Sequence, residues 1–221
     1  MNLPNKITTS RLLITVAFVV VLMMDFPLKT TVACALFFAG GISDIVDGMI
    51  ARRRGLVTDF GKLMDPLADK IMVCAGFVML IGMPMPVALE REIPNGWMPT
   101  WSEVPGQHLI LPAWMAIIIV ARELAITGLR LLAVSKGVIL SAETIGKRKT
   151  NLQVGSVVGI LVCVSYHDWG TWGPQFFGSK ISGVPWSVWL TMLSTWCAVG
   201  LTAISGGHYL WRNRELFMKD L

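Results

Sequence analysis

Six mostly apolar runs, each about as long as a bilayer is thick, constrain this chain more than any other feature: 7–24, 29–50, 66–83, 109–134, 150–166 and 184–210. A spanning helix takes roughly 17–25 such residues. The predicted fold is all-α: a polytopic membrane protein of six transmembrane helices forming one domain over 1–221. Composition agrees, with 54% hydrophobic and 15% charged residues in 221 and a mean hydropathy of +0.62. That balance excludes a soluble domain and a disordered chain. Four Cys scattered through apolar stretches exclude a disulfide scaffold.

Polar punctuation separates the runs. Asp25-Phe26-Pro27 stops the first, and Asp65-Pro66 opens the third. The 84–108 loop, rich in Pro, Gly and acid, cannot continue a helix. An aromatic, Gly-rich loop over 167–184 precedes the sixth run. An even number of spans places both termini on one side. All Lys and Arg except Lys29, Arg91 and Lys180 fall on that side, and the bias survives without Lys70, Arg122 and Arg130, which lie inside spans. The positive-inside rule then predicts cytoplasmic termini in the cell's inner membrane. Trp97, Trp101, Trp114, Trp169, Trp172, Trp186 and Trp189 gather at the outer loops as an interface belt. The first 24 residues have the charge-then-apolar order of a signal peptide, but no small-residue cleavage site follows, so they are read as span one.

Carboxylates at span ends need an explanation, because each charge in a bilayer costs about 2.5–3.5 kcal/mol on insertion scales. Asp44 and Asp47 lie three apart, hence on one helix face, and Asp65 and Asp69 lie four apart across a short connection. Packed side by side, spans two and three would bring four carboxylates together. Such a group cannot stay ionised without counter-charge. An all-oxygen set without His or Cys suits Mg²⁺, Mn²⁺ or Ca²⁺ rather than zinc, and two such ions would clamp phosphoryl oxygens. Gly48 and Ala51 lack bulk where a ligand could approach, and Arg52 could pair with an anion. Ordinary roles compete: Asp65 before Pro66 also suits a helix N-cap, and Asp44 suits an ion pair with Arg52 or Lys70.

Asp44, Asp47, Gly48, Ala51, Arg52, Gly61, Asp65 and Asp69 stand in the pattern DxxDGxxARx8GxxxDxxxD. By these residues the chain resembles the CDP-alcohol phosphotransferases. The resemblance implies a two-metal centre, with two Mg²⁺ or Mn²⁺ ions held by Asp44, Asp47, Asp65 and Asp69. It implies a cytidine diphosphate pocket at Asp44, Gly48, Ala51, Arg52 and Gly61, with Asn5 and Thr8 of the opening segment, and it makes Asp69 the general base. It also implies a homodimer.

The acceptor should be anionic. Arg122 and Arg130, eight residues apart in span four, share a helix face and should point into the bundle or a wet cavity rather than into lipid. Lys147 and Lys149 open span five. Guanidinium forks and ammonium groups near a phosphotransfer site suggest a second phosphate. The bland alternatives are that Arg122 pairs with Glu123 and that 147–149 only set topology. The 121–130 and 146–150 segments, and the opening 3–8 with Arg11, resemble the branch of the family that makes phosphatidylglycerophosphate. This implies CDP-diacylglycerol and sn-glycerol 3-phosphate as substrates and CMP as product.

Two rivals stand beside this reading. Within the family, an inositol phosphate acceptor would need similar basic residues. From another class, a divalent-cation transporter would also use intramembrane aspartates, but near the midplane. His108, His167 and His208 are isolated. Cys34, Cys74, Cys163 and Cys197 read as free buried thiols. Gly40, Gly41, Gly76, Gly155 and Gly159 would allow close helix packing or a dimer seam.

Overall fold

The computed structural model describes residues 3–54, 59–81, 83, 85–92, 111–135 and 145–214, and side chains over 9–43, 67–68, 70–81, 83, 85–92, 111–133 and 150–214. The described chain is almost entirely helical. Its elements are α1 (Leu3–Met23), α2 (Lys29–Arg54), α3 (Asp59–Ile81), α4 (Val87–Glu92), α5 (Ala113–Ser135), α6 (Ile145–Ser165), a 3-10 turn (Tyr166–Asp168), α7 (Trp172–Phe177), β1 (Lys180–Ile181), β2 (Val184–Pro185) and α8 (Trp186–Arg212). Each of the six apolar runs coincides with a long helix.

The boundaries differ from the sequence reading in informative places. Helix α3 starts at Asp59, so Asp65-Pro66 falls well inside it and is not its beginning. Proline is favoured at a first helical position, which is why the dipeptide reads as a start. Inside the helix it removes one backbone hydrogen bond instead, and Asp65 cannot be this helix's cap. The 84–108 loop contains the short α4, whose Leu89 is buried beneath the next helices. The 167–184 segment is not an open loop either. It holds α7 and an antiparallel hairpin in which Lys180 pairs with Pro185 and Ile181 with Val184. Both turn residues, Ser182 (φ 54°) and Gly183 (φ 87°), have the positive φ that a tight hairpin needs.

The long helices pack in a closed circuit. Helix α1 lies against α2, α2 against α6, α6 against α8, α8 against α5, α5 against α3, and α3 against α1, with α3 also touching α2 and α6. A core of Phe18, Phe37, Met72, Phe77, Ile119, Val157, Leu161 and Val199 runs through the middle. Small residues set the spacing where it is tightest. A methyl at Gly40 would lie 2.7 Å from Met72 Sδ, one at Gly76 2.8 Å from Phe37, and one at Gly159 2.7 Å from Thr191. Gly155 has open space instead, so it is not a packing glycine.

Outward positions are apolar: Leu13, Val16, Val20, Val78, Leu124, Leu131, Leu190, Leu193 and Ile204 are all exposed. Among the described residues, α8 is the one helix long and apolar enough to cross a membrane by length and composition. Thr9–Met23, Lys29–Ser43 and Lys70–Ile81 form shorter apolar helical stretches. In α5 the charges of Arg122, Glu123 and Arg130 interrupt the apolar run. All four Cys are free thiols, as expected, but only Cys34 and Cys163 are buried. Cys74 is half-buried and Cys197 is exposed on α8.

Candidate functional site

Asp44, Asp47, Gly48, Ala51 and Arg52 all fall on the last part of α2, and Gly61, Asp65 and Asp69 on the first part of α3. Only 55–58 separate the two helices, so these segments must run side by side in opposite directions. Helix packing supports the register. Gly40, one turn before Asp44, lies close to Met72, just beyond Asp69, and to Ile14 of α1. Asn5 and Thr8 lie on the first turns of α1, and Lys147 and Lys149 on the first turns of α6. The side chains of the four aspartates, Asn5, Thr8, Arg52, Lys147 and Lys149 are outside the described residues. The backbone nonetheless brings all these positions to one end of the bundle.

Helix α5 adds the described part of the site. Arg122 Nη1 donates to Glu123, 3.4 Å from each carboxylate oxygen, and Nη2 donates to Ser205 Oγ at 3.5 Å. Its Nε is buried with no hydrogen-bond partner. The pairing with Glu123 weighed as a bland role is therefore present, but long. Charge-assisted N–H···O bonds normally close to about 2.7–2.9 Å, so this guanidinium is only partly engaged. Arg130 stands two turns further along the same face, its guanidinium carbon 5.8 Å from the centre of the Tyr209 ring. Arg122 and Arg130 both reach residues of α8, but Arg122 is half-buried and Arg130 is exposed, so Arg130 does not point into the bundle as expected. Lys70, the residue after Asp69, reaches across to donate to Thr127 Oγ1, and Thr127 Oγ1 in turn donates to the Glu123 carbonyl at 2.7 Å. The contact ties the aspartate-bearing helix directly to the arginine-bearing one.

The buried network continues through residues that carry no obvious signature. Gln153 of α6 is 1% exposed and donates through Nε2 to Glu123 Oε1 at 3.4 Å and to Thr202 Oγ1 of α8 at 3.1 Å. Gly206 lets the Arg122 stem lie against α8, since a methyl there would fall 2.6 Å from Arg122 Cγ. Sequence reasoning missed Lys70, Gln153, Thr202, Ser205 and Gly206. The available signal was a polar or small residue on three apolar helices, α3, α6 and α8, which becomes meaningful only once they are seen to meet.

The charges do not balance within this network. Lys70 and Arg122 each interact electrostatically with Glu123, and each is repelled by Arg130. Among the described residues, Lys70, Arg122 and Arg130 thus stand against the one carboxylate of Glu123. Beside it, between α2, α3 and α6, lies a groove of about 320 Å³ lined by Phe38, Ile42, Met72, Val154 and Val158, with Thr150 and Asn151 at its polar edge. The groove thus lies on α2, α3 and α6, the helices that carry the aspartate positions and Gln153.

The chain is similar to known proteins over most of its length. The family model for CDP-alcohol phosphatidyltransferase matches residues 1–204. A CDP-diacylglycerol--glycerol-3-phosphate 3-phosphatidyltransferase of Bacillus subtilis (strain 168) is 31% identical, with 97% of this chain and 96% of that protein covered. A protein of the same description from Rickettsia bellii (strain RML369-C) is 29% identical over 98% of the chain and 97% of its own length. A cardiolipin synthase (CMP-forming) of Oryza sativa subsp. japonica is 31% identical over 73% of the chain and 46% of its own length. With the aspartate motif on two adjacent helices and a family match that runs from α1 into α8, the chain belongs to the CDP-alcohol phosphatidyltransferase family.

Proposed function

We propose that the chain transfers the phosphatidyl group of CDP-diacylglycerol to sn-glycerol 3-phosphate, releasing CMP, in phospholipid biosynthesis. The observation that carries the acceptor assignment is the under-engaged Arg122, with its buried, unpartnered Nε in a net-positive network one helix away from the aspartates. The two bacterial relatives bearing that description, each aligned over nearly its whole length, support the same reaction.

In this reading the chain forms a single domain of six membrane spans in the inner membrane, with both termini and the site on the cytoplasmic side. The exposed apolar residues of the long helices and the placing of Lys and Arg support it. Acyl chains would occupy the groove between α2 and α6, while Asp44, Gly48, Ala51, Arg52, Gly61, Asn5 and Thr8 bind the cytidine diphosphate. A homodimer is part of the same proposal.

The donor set fits hard divalent cations. Asp44, Asp47, Asp65 and Asp69 supply carboxylate oxygens from two adjacent helices, and among the described residues no other group of three or more His, Cys, Asp or Glu is placed to hold a metal. Two Mg²⁺ or Mn²⁺ ions bound there would neutralise charge on the transferring and departing phosphates. Arg122 and Arg130, with Lys147 and Lys149, hold the acceptor phosphate and so orient the glycerol hydroxyl. That hydroxyl oxygen bonds to the phosphorus carrying diacylglycerol, its proton passes to Asp69, and the phosphorus–oxygen bond to CMP breaks.

The direct test is CMP release by the purified protein in detergent with CDP-diacylglycerol and Mg²⁺ or Mn²⁺. Release driven by sn-glycerol 3-phosphate, and not by inositol phosphate, phosphatidylglycerol or serine, is the expected result. Release driven by another of these acceptors would overturn the acceptor assignment. Metal-dependent cation uptake into vesicles without release by any acceptor would favour a transporter.

A further inference from the structure

We infer that Gln153 and Thr202 are positioning residues that keep the Arg122 guanidinium available to the acceptor phosphate. They would do so by holding Glu123 away from a tight ion pair. The inference rests on the proposed role of Arg122 and adds a determinant of acceptor binding that touches neither substrate.

A buried carboxylate beside an arginine should close on it, because the desolvated pair has no water to share. Glu123 and Arg122 do not close: all their contacts are 3.4 Å. Gln153 donates to Glu123 Oε1, one of the two carboxylate oxygens that lie equally far from Arg122 Nη1, and so competes for that oxygen and holds the carboxylate in place. A side-chain amide has two N–H donors. Gln153 spends one on Glu123 and the other on Thr202, which fixes the amide between α5 and α8 like a bracket. All three are buried, with Gln153 1%, Thr202 0% and Glu123 6% exposed, so the geometry is set by the protein and not by solvent. Meanwhile the Arg122 stem is held against Gly206 and its Nη2 lies 3.5 Å from Ser205. The guanidinium is located but not consumed. Its buried Nε has no hydrogen-bond partner among the described residues. Removing the amide would free Oε1 to take Arg122 fully, and the acceptor would then compete with a tighter internal partner.

The test separates positioning from packing. In Gln153→Leu, similar in size but without donors, the KM for sn-glycerol 3-phosphate should rise about tenfold, while kcat and the KM for CDP-diacylglycerol change less than twofold. Inhibition by inorganic phosphate, a probe of the acceptor site alone, should weaken in parallel. Thr202→Val should move both quantities in the same direction by a smaller factor, and Thr202→Ser should restore them. A lowered melting temperature in Gln153→Leu and Thr202→Val with acceptor KM and phosphate inhibition as in the wild type would overturn the inference, leaving the two residues as structural. Should Gln153→Leu fail to fold, the Thr202→Val and Thr202→Ser pair decides on the same readouts. A wild-type protein that sn-glycerol 3-phosphate does not drive would overturn the functional reading itself, which is a different outcome.

Discussion

The two ends of the bundle are built from opposite kinds of bond. At the end carrying the α6–α8 connection, donors are closed tightly. Tyr166 Oη donates to Glu92 at 2.6 Å, Trp186 Nε1 to the Phe176 carbonyl at 2.6 Å, Ser187 Oγ to the Phe177 carbonyl at 2.8 Å and Trp169 Nε1 to Thr31 Oγ1 at 3.0 Å. Rings fill the space between: Trp169 stacks on Trp172 at 5.3 Å and Phe177 on Trp186 at 5.8 Å. At the aspartate end, the bonds around Arg122 are 3.4–3.5 Å long and its Nε has no partner. At the first end most of the described donors are spent within the protein, with His167 Nε2 the exception among them. At the other, Arg122 keeps capacity that, in the proposed function, the acceptor phosphate takes up. Polar groups in an enclosed site gain stability from being saturated and function from being left short.

If this contrast is right, substitutions at the two ends should separate turnover from stability. The largest effect is expected for Asp69→Asn, which should abolish CMP release while leaving the melting temperature of the purified protein within a few degrees of the wild type. Substantial turnover would remove Asp69 from its proposed role as base. Next, Arg122→Ala should raise the acceptor KM about 30-fold or more, since truncating one partner of a buried charged contact typically costs ~2–5 kcal/mol. Arg122→Lys should recover only part of this, because a lysine lacks the planar fork. An unchanged acceptor KM with an altered CDP-diacylglycerol KM would move Arg122 to the other substrate. At the opposite end, Tyr166→Phe should lower stability by about 1–3 kcal/mol by leaving Glu92 without its donor. Thermal unfolding should show this as a lower midpoint, with both KM values unchanged. A shift in acceptor KM there would erase the distinction between the ends.

A pair of glycines sharpens the same contrast. Gly206→Ala presses on Arg122 and should show mainly in the acceptor KM, whereas Gly159→Ala presses on Thr191 and should show mainly as destabilisation of about 1–3 kcal/mol. The smallest effect belongs to the exposed turn between α1 and α2. Asp25 accepts a hydrogen bond from Lys29 Nζ at 2.9 Å, and that ammonium holds its carboxyl below the ordinary range. A lowered native pKa contributes stability above the unfolded value and loses it as pH falls through the native one. For a fully exposed pair solvent screens nearly all of it, so Asp25→Asn should leave both turnover and unfolding midpoint unchanged.

The legibility of the sequence follows the range of the interactions involved. Long helices were readable because each apolar run carries its own signal, and the aspartate motif because eight residues within one stretch were enough. Arg122 and Arg130 were found because charge in an apolar helix is costly wherever it occurs. Asp65-Pro66 misled because a local preference for proline at helix starts is overridden when the helix continues through it. Helix α4 and the hairpin over 180–185 were hidden among turn-forming residues, and their order comes from packing onto Tyr166, Val184 and Val188. Gln153, Thr202 and Ser205 were invisible for a different reason. Single polar residues are unremarkable in apolar helices, and only their meeting across α5, α6 and α8 gives them a part in the site.

The charged stretch of α5 has a consequence for how such a protein is made. Arg122, Glu123 and Arg130 together penalise partitioning of this segment into lipid by several kcal/mol if each is charged alone. The groups that relieve the cost, Gln153 on α6 and Ser205, Gly206 and Tyr209 on α8, emerge from the ribosome only later. In a chain that spans the bilayer as proposed, α5 would therefore be held at the insertion machinery, or enter only marginally, until α8 has been synthesised. Completion of the acceptor end would then coincide with completion of membrane insertion, and a truncated nascent chain would not display a finished site.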